Sequence, residues 1–338
     1  MTSVFAKAPL RLAMAGGGTD LLPYWRHHGG VVLNGTIDQY AYCKIEPHHE
    51  WEFKSVDLND HETYSPLYDK YVSTKMKLLV NTYQYLTKGI DRHPVKITTY
   101  VEAPPGSGLG SSSALVVALV AAIAEYYAIP LGEHDIAEYA VEIERNICKL
   151  PGGKQDQFAA AFGGFNFIEF LPDGRTIVNP LRLNPKTQNM LELSTVLYYV
   201  GKPRMDERVI ENTTLNLRNN DEETLQATHR IKSAAIEYKR SLLLGDVDKI
   251  CESMNTYWKN KIKTNKNVVS PELLDSYEFA LQNGAKAAKI SGAGGGGHMI
   301  LFTDFERRHE LISALKKRKI GRVVPFKFVK HGVDVWRP

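Results

Sequence analysis

The chain has 338 residues, of which 43% are hydrophobic and 24% are charged, with a formal net charge of +4. This length allows two domains or one bilobed unit, and the composition is that of a globular protein rather than a disordered chain. Because the basic residues are spread along the sequence, nucleic-acid binding is not expected. The cysteines, Cys43, Cys148 and Cys251, are odd in number and far apart. They indicate no disulfide framework and fit a reducing, cytoplasmic compartment.

Membrane insertion and export are also not expected. The longest apolar run covers residues 114–124, whereas a membrane span needs about 20 residues. The apolar N-terminal segment is interrupted by Lys7 and Arg11 and runs into glycines, so it is not a convincing signal peptide.

The first half of the chain is predicted to contain strands at residues 4–14, 31–33, 40–46, 95–101, 165–170 and 176–178. Asn34-Gly35 is predicted as a turn. Helices are predicted at residues 75–86, 115–127 and 133–148, and after Asp156. The helix at 115–127 is apolar on every side, which predicts burial all round.

In the second half, Asn184-Pro185 is the predicted boundary between a domain at residues 1–185 and another at 186–338. Beyond it, helices are predicted at residues 204–217, 223–244, 246–263, 271–283 and 306–317. Strands are predicted at residues 194–200, 298–303 and 322–329. Helices and strands are mixed without regular alternation, so the expected class is α+β with two lobes.

Three glycine-rich segments are candidate ligand-binding loops, and the most informative is PPGSGLGSSSA at residues 104–114. We call residues 104–113 the second glycine loop. It lies between a predicted strand and the buried helix, where free backbone N–H groups at a helix start can bind phosphate. Its serines could cap the helix, contact phosphate or ligate Mg²⁺. Because no lysine follows the glycines, it is not a Walker A loop; a purely structural turn is the alternative.

The third glycine loop, residues 291–297, satisfies GxGxxG through Gly292, Gly294 and Gly297. A dinucleotide-binding fold places a helix directly after this motif, but a strand-like segment follows here. An NAD-dependent oxidoreductase is therefore the disfavoured alternative. A glycine loop packed beside the phosphate site, or a tight structural turn, explains the pattern better.

Three acidic residues accompany these loops. Asp20 ends the first glycine loop, residues 15–20, and could accept hydrogen bonds from sugar hydroxyls or cap a helix. Glu144 lies late in a predicted helix, against the dipole preference, which suggests a cation partner or a surface charge. Asp156 stands at the start of a helix, as a cap or as a functional carboxylate.

Taken together, PLRLAMAGGGTD, PPGSGLGSSSA, GGKQDQ and SGAGGGG resemble, in order, the motifs of the GHMP kinases. The resemblance covers nearly the whole chain. It implies a two-lobed α+β fold, with an N-terminal domain like ribosomal protein S5 domain 2 and a ferredoxin-like C-terminal domain. It also implies that ATP binds in the cleft between them, together with Mg²⁺.

The resemblance implies roles for individual residues. Asp156 would be the catalytic base, with Arg11 beside the transferring phosphate. Mg²⁺ would bind Glu144 and Ser112, with Ser111 left open as the alternative. The acceptor would be lined by Gly17, Gly18, Thr19 and Asp20. The ATP phosphates would contact Pro105, Gly106, Ser107, Gly108, Leu109, Gly110, Ser111, Ser112, Ser113, Gly294 and Gly295.

Within the family, AGGGTD, EIER, GGKQDQ, FGGFNF, VNPLR and GVDVW resemble the branch that acts on heptose 7-phosphates. This implies that ATP and a sugar phosphate are the substrates, with transfer to the anomeric C1 hydroxyl to give a 1,7-bisphosphate. Fucose or another sugar stays open as the acceptor. Arg204 is the first candidate for the acceptor's own phosphate, ahead of Lys202, Arg182 and Lys154. The adenine pocket, the anomer and the oligomeric state stay open, with a homodimer as one option.

Overall fold

The computed structural model describes residues 2–63, 76–201, 206–264, 269–292, 294–318 and 320–338. In chain order, the strands are β1 (Val4–Ala15), β2 (Gly30–Pro47), β3 (Glu52–Ser55), β4 (Asp60–Thr63), β5 (Val95–Val101), β6 (Phe165–Phe170), β7 (Thr176–Pro180), β8 (Thr195–Gly201), β9 (Ala285–Ile290), β10 (Gly297–Thr303), β11 (Arg322–Val324) and β12 (Asp334–Trp336).

The helices are α1 (Leu22–His28), α2 (Lys77–Leu86), α3 (Ser111–Tyr126), α4 (Glu133–Val141), α5 (Gln155–Phe162), α6 (Pro185–Ser194), α7 (Asp206–Arg218), α8 (Glu222–Leu244), α9 (Val247–Lys263), α10 (Pro271–Gln282) and α11 (Phe305–Lys317). A π-helical segment, Glu142–Ile147, continues directly from α4. Among the described residues, no helix has the length and apolar character needed to cross a membrane.

Two sheets organise the described residues. The first has the order β12-β1-β2-β5-β3-β4, with β6 also paired to β2 and β7 paired to β6. Its pairs are antiparallel except β3 with β5. The second is the antiparallel sheet β11-β8-β10-β9. Two sheets with their own helices confirm the expected α+β class.

The long strand β2 corrects one prediction. Asn34-Gly35 is not a turn, because β2 runs through it while pairing with β1 on one side and with β6 and then β5 on the other. Gly35 serves close packing: a Cβ there would lie 2.9 Å from the Phe165 ring and 3.0 Å from the Phe328 ring.

Each sheet has its own core. Helix α3 packs on β1 and β2 and is almost wholly buried, as its apolar sequence predicts. The second core contains Tyr198, Trp258 and Leu301, among residues from β8, α9 and β10. The long helices α8 and α9 pack against each other, and side chains of both enter the two cores.

Three parts of the chain add to the predicted elements or differ from them. Residues 185–194 form α6, with Asn184 as its N-cap; the domain boundary at Asn184-Pro185 stays a prediction. Residues 285–290 form β9 although their sequence, AKAAKI, has low strand propensity; pairing with β10 overrides that preference. The last predicted strand, 322–329, is reduced to β11, and the chain returns to the first sheet as β12 beside β1.

Candidate active site

A cleft of about 380 Å³ lies where the three glycine loops meet. Its lining includes most of the residues singled out in the sequence: Arg11, Gly17, Gly18, Asp20, Pro105, Gly106, Ser107, Gly108, Gly110, Ser111, Ser112, Ser113, Glu144 and Asp156. Residues of α7 and α9 complete it from the C-terminal half. Thr19 and Leu109 do not line the cleft, and both side chains are fully buried. The Thr19 hydroxyl instead binds the Gly16 and Val31 carbonyls and so fixes the first glycine loop to β2.

The second glycine loop has a backbone that favours glycine at alternate positions. Gly106, Gly108 and Gly110 have φ values of 70°, 75° and 74°, in the left-handed region. Gly110 is the N-cap of α3, and no side chain caps that helix. The first N–H groups of α3 therefore have no side-chain cap and lie beside the cleft, where they can bind an anion.

The third glycine loop packs directly against the second. A Cβ on Gly297, whose φ is +81°, would lie 2.3 Å from the Ser107 carbonyl oxygen. Ser291 Oγ donates to the Gly108 carbonyl at 2.7 Å. These contacts require close backbone approach and bring the two loops together as expected. Gly292 lines the cleft, whereas Gly294 and Gly295 are not part of its lining.

His298, the residue after this loop, also holds the second glycine loop. Its backbone N and its Nδ1 both donate to the Ser107 carbonyl, at 3.0 and 2.8 Å. Burial lowers the pKa of His298 to about 4; the hydrogen bond to Ser107 opposes this shift, and Arg322 adds to it. The imidazole is therefore neutral at pH 7, with the proton on Nδ1.

Arg11 and Asp156 form a bidentate ion pair at the cleft surface. Arg11 Nε donates to Asp156 Oδ1 at 2.8 Å and Nη2 donates to Oδ2 at 2.7 Å. Arg11 Nη1 donates to the Gly108 carbonyl at 2.6 Å. These bonds use three of the five guanidinium N–H donors, which leaves two to bind a ligand. Asp156 lies in the first turn of α5, with its side chain against Gly110.

Glu144 is almost fully buried, at 1% exposure, in the π-helical segment. The sequence predicts a continuous α-helix here, but local π geometry is frequent at functional sites. Ser112 Oγ donates to Glu144 Oε1 at 2.7 Å, and Ser113 Oγ donates to Oε2 at 2.6 Å. Gln157 Nε2 also donates to Oε2. This hydrogen bonding turns Glu144 toward the start of α3 rather than toward solvent.

This donor set fits a magnesium ion. Ser112 and Glu144 present hard oxygen atoms at the cleft, and Mg²⁺ in kinases is bound through one or two carboxylates together with substrate phosphates. Among the described residues, no cluster of three or more His, Cys, Asp or Glu side chains forms a metal cage. Ser112 and Glu144 suit a magnesium site that is shared with phosphate oxygens.

The first glycine loop is held in place by its own aspartate. Asp20 Oδ1 accepts from the Gly18 N–H at 3.0 Å, and Oδ2 accepts from Gln155 Nε2 at 3.2 Å. A Cβ on Gly153 would lie 1.9 Å from Asp20 Oδ2, so this approach requires glycine. Asp20, at 3% exposure, is thus linked to α5 and Asp156 through neighbouring Gln155. It does not cap α1, whose N-cap is Leu21.

Several residues at the site are missed by sequence reasoning. Tyr257 and Lys261 of α9 reach the first glycine loop: the Tyr257 hydroxyl donates to the Gly17 carbonyl at 3.5 Å. Lys289 of β9 donates to the Ala13 and Met14 carbonyls and lies 4.2 Å from the centroid of the Tyr257 ring. Burial lowers the pKa of Lys289 well below its ordinary value. No local motif marks these residues.

Two of the four candidates for the acceptor's phosphate, Arg182 and Lys154, lie among the described residues. Arg204 and Lys202 lie outside the described residues. Arg182 is exposed, and the Lys154 ammonium stacks over Trp25 at 4.7 Å from the ring centroid. Neither of these two lines the cleft.

Comparison with known proteins places these features in a family. The model of the GHMP kinases N terminal domain matches residues 76–164, and that of the GHMP kinases C terminal domain matches residues 238–321. A D-glycero-alpha-D-manno-heptose 7-phosphate kinase from Campylobacter jejuni is 39% identical over 341 residues, covering 100% of both chains.

Two solved structures are similar along the whole chain. One is described as a D-glycero-D-manno-heptose 1-phosphate kinase from Bacteriodes thetaiotaomicron; it is 36% identical, with a TM-score of 0.84 and 99% of each chain covered. The other, a sugar kinase described as putative from Campylobacter jejuni, is 36% identical, with a TM-score of 0.79 and 100% and 99% covered.

Domain models match in both halves, and a relative above 30% identity matches over the full length. The resemblance drawn from the four motifs is thereby confirmed, as is the two-lobed kinase fold that it implied. The chain belongs to the GHMP kinase family.

Proposed function

We propose that the chain is a cytoplasmic, Mg²⁺-dependent kinase that transfers the γ-phosphate of ATP to the C1 hydroxyl of D-glycero-D-manno-heptose 7-phosphate. The observation that carries the proposal is the Arg11–Asp156 pair, which sits between the second glycine loop and α5. It joins a carboxylate able to accept a proton to a loop built for phosphate. The full-length similarity to a heptose 7-phosphate kinase supports the choice of acceptor.

The ATP half of the cleft has two kinds of lining. The second glycine loop and the start of α3 provide N–H donors for the phosphates. The cleft lining also includes apolar side chains that suit a planar base: Leu58, Leu78, Leu79, Val101 and Leu115. We assign ATP binding to the domain at residues 1–185. The domain at 186–338 contributes α7, α9 and the third glycine loop, and β12 returns to the first sheet.

The acceptor half is assigned to the first glycine loop. Asp20 is positioned to accept hydrogen bonds from sugar hydroxyls, because Gly18 and Gln155 already hold its carboxylate in one orientation. A buried polar group that pairs with a substrate hydroxyl discriminates strongly against analogues lacking it. Gly17 and Gly18 leave room for the sugar next to this carboxylate.

In the proposed reaction, the C1 oxygen attacks the γ-phosphorus while the bond to the β-phosphate oxygen breaks and ADP leaves. Asp156 accepts the proton of the C1 hydroxyl, and general-base assistance of this kind contributes about 10²–10⁴-fold. An anomeric hydroxyl is more acidic than an ordinary alcohol, so it needs less assistance. The two remaining Arg11 donors stabilise the negative charge that spreads over the transferring group.

Ser112 and Glu144 would hold Mg²⁺ together with ATP phosphate oxygens. The ion, when bound, supplies charge neutralisation at the terminal phosphates. The contribution of the chain is to hold the Glu144 carboxylate toward the start of α3, because Ser113 and Gln157 both donate to its other oxygen, Oε2.

A substrate panel tests the proposal. ADP release is measured with D-glycero-D-manno-heptose 7-phosphate as both anomers, with the corresponding 1-phosphate and free heptose, and with L-fucose and D-galactose. The position of the new phosphate is then determined by NMR. The proposal predicts turnover with the 7-phosphate and a product phosphorylated at C1. Turnover of the 1-phosphate or of a free sugar in preference to the 7-phosphate would refute the assignment.

A further inference from the structure

Helix α9 presents two side chains to the first glycine loop. Tyr257 and Lys261 are four residues apart and so lie on the same face of the helix. The Tyr257 hydroxyl contacts Gly17, and a Cβ on Gly18 would lie 3.3 Å from Lys261 Nζ. Lys261 lines the cleft and is 5% exposed. A cation from the C-terminal half is therefore held against the loop assigned to the acceptor.

The other cations of the described lining, Arg11 and Arg145, have different tasks. Arg11 holds Asp156 and the Gly108 carbonyl. Arg145 Nε donates to the Gly153 carbonyl at 2.9 Å, and its guanidinium lies so close to Gly152 that a Cβ there would be 2.5 Å from Cζ. Arg145 thus shapes the turn before α5, whereas Lys261 faces the first glycine loop.

An acceptor that already carries a phosphate needs such a cation. The first glycine loop ends in the carboxylate of Asp20, and Asp156 also lines the cleft. Two carboxylates repel a phosphate dianion unless a positive charge compensates. A lysine ammonium is a compact charge with three donors, which suits a phosphate whose orientation is set by the sugar.

We propose that Lys261 binds the phosphate that the acceptor sugar carries before the reaction, and that it makes the enzyme select sugar phosphates over free sugars. This inference rests on the proposed function, because it presumes a phosphorylated acceptor. It moves the acceptor-phosphate site from the segment around Arg204 to the face of α9 that contacts the first glycine loop.

The test measures equilibrium binding by calorimetry without ATP, using heptose 7-phosphate and free heptose as probes. The proteins are wild type, Lys261→Met, Lys261→Arg and Lys263→Met. Lys263 is the matched control: it is exposed on the same helix two residues further on, and its replacement removes the same charge. Binding of an ATP analogue to each variant, measured separately, reports whether the fold is intact.

Lys261→Met is expected to weaken binding of the 7-phosphate by about 10- to 100-fold, the range for a hydrogen bond to a charged group. Free heptose and the ATP analogue should bind within twofold of wild type. Lys261→Arg should retain part of the preference for the 7-phosphate, and Lys263→Met all of it.

Equal losses for both sugars, or no loss for either, would overturn the inference. A third contrary result is unchanged sugar binding with a reduced turnover for every acceptor, which would assign Lys261 to the transferring phosphate. The wild-type measurement separates the two proposals. If wild type binds free heptose and the 7-phosphate with equal affinity, the proposed acceptor is wrong. If wild type and Lys261→Met both prefer the 7-phosphate to the same degree, only the role of Lys261 is misassigned.

Discussion

Arg11 and Asp156 are 145 residues apart in the sequence and are joined by two parallel hydrogen bonds, Nε to Oδ1 and Nη2 to Oδ2. A guanidinium fork of this kind fixes both the position and the plane of the carboxylate. The same guanidinium binds the Gly108 carbonyl at 2.6 Å. One side chain therefore sets the distance between the proposed base and the second glycine loop.

Replacing Asp156 with Asn should reduce turnover by about 10²–10⁴-fold, the usual contribution of a general base. The amide keeps the shape of the side chain but cannot accept the proton of the sugar hydroxyl. Steady-state kinetics gives the loss, and titration with a non-hydrolysable ATP analogue should give an affinity near that of wild type. Turnover close to wild type would remove Asp156 from the role of base.

Replacing Arg11 with Lys separates charge from geometry. Lysine keeps the positive charge but cannot form the two parallel bonds to Asp156 while also binding Gly108. We expect turnover to fall by about 10- to 100-fold, which corresponds to the loss of one hydrogen bond between charged groups. The measurement is kcat at saturating ATP and sugar. Unchanged kcat would mean that charge alone, and not the fork, is required at this position.

Glu144→Gln should raise the Mg²⁺ concentration needed for half-maximal activity. The amide keeps oxygen and size but loses the negative charge that attracts a hard cation. Glu142→Gln is the matched control, because Glu142 lies two residues earlier in the same π-helical segment and does not line the cleft. Activity is titrated with Mg²⁺ at fixed ATP. Equal shifts in both variants would indicate a general charge effect rather than a metal ligand.

The sequence predicts the parts of the site that depend on local backbone chemistry. Gly106, Gly108 and Gly110 are recognisable because a helix start with free N–H groups needs glycines at positive φ. Glu144 and Asp156 are found through their motifs, although the π geometry that turns Glu144 inward has no sequence signal. Tyr257, Lys261 and Lys289 could not be found, because each acts through a contact with β1 or the first glycine loop, more than 200 residues away in the sequence.

Gly297→Ala should detach the third glycine loop from the second. The added methyl would lie 2.3 Å from the Ser107 carbonyl oxygen at a φ of +81°, so the backbone must move. Gly89→Ala is the control, since its φ is +80° but nothing lies within 4 Å of the added atom. It reports the strain of positive φ alone, about 1–2 kcal/mol.

Thermal unfolding with and without a non-hydrolysable ATP analogue measures this effect. Gly297→Ala should lose most of the stabilisation that the analogue gives to wild type, because the second glycine loop no longer keeps its shape. Gly89→Ala should keep that stabilisation despite a lower melting temperature. If both variants retain it, contact between the two glycine loops is not needed for nucleotide binding.

The neutral His298 makes the loop contact sensitive to acid. Its pKa is about 4 in the folded protein and about 6.5 in an unfolded chain. Between these values the unfolded state binds more protons, so the free energy of unfolding rises with pH. The contribution is complete above about pH 6.5 and is lost as the pH falls toward 4; it amounts to at most about 3 kcal/mol.

Denaturant unfolding of wild type and His298→Asn from pH 4 to 8 tests this. Asparagine places an N–H donor near the position of Nδ1 and so can still bind the Ser107 carbonyl, but it does not titrate. The variant should therefore show a smaller fall in unfolding free energy below pH 6.5, even if it is less stable at pH 7. His309→Gln removes an exposed histidine of α11. This variant should show the same dependence of the unfolding free energy on pH as wild type. If the unfolding free energy of His298→Asn falls with pH as steeply as that of wild type, the acid sensitivity comes from other groups. His298 then stabilises the second glycine loop only through its hydrogen bonds.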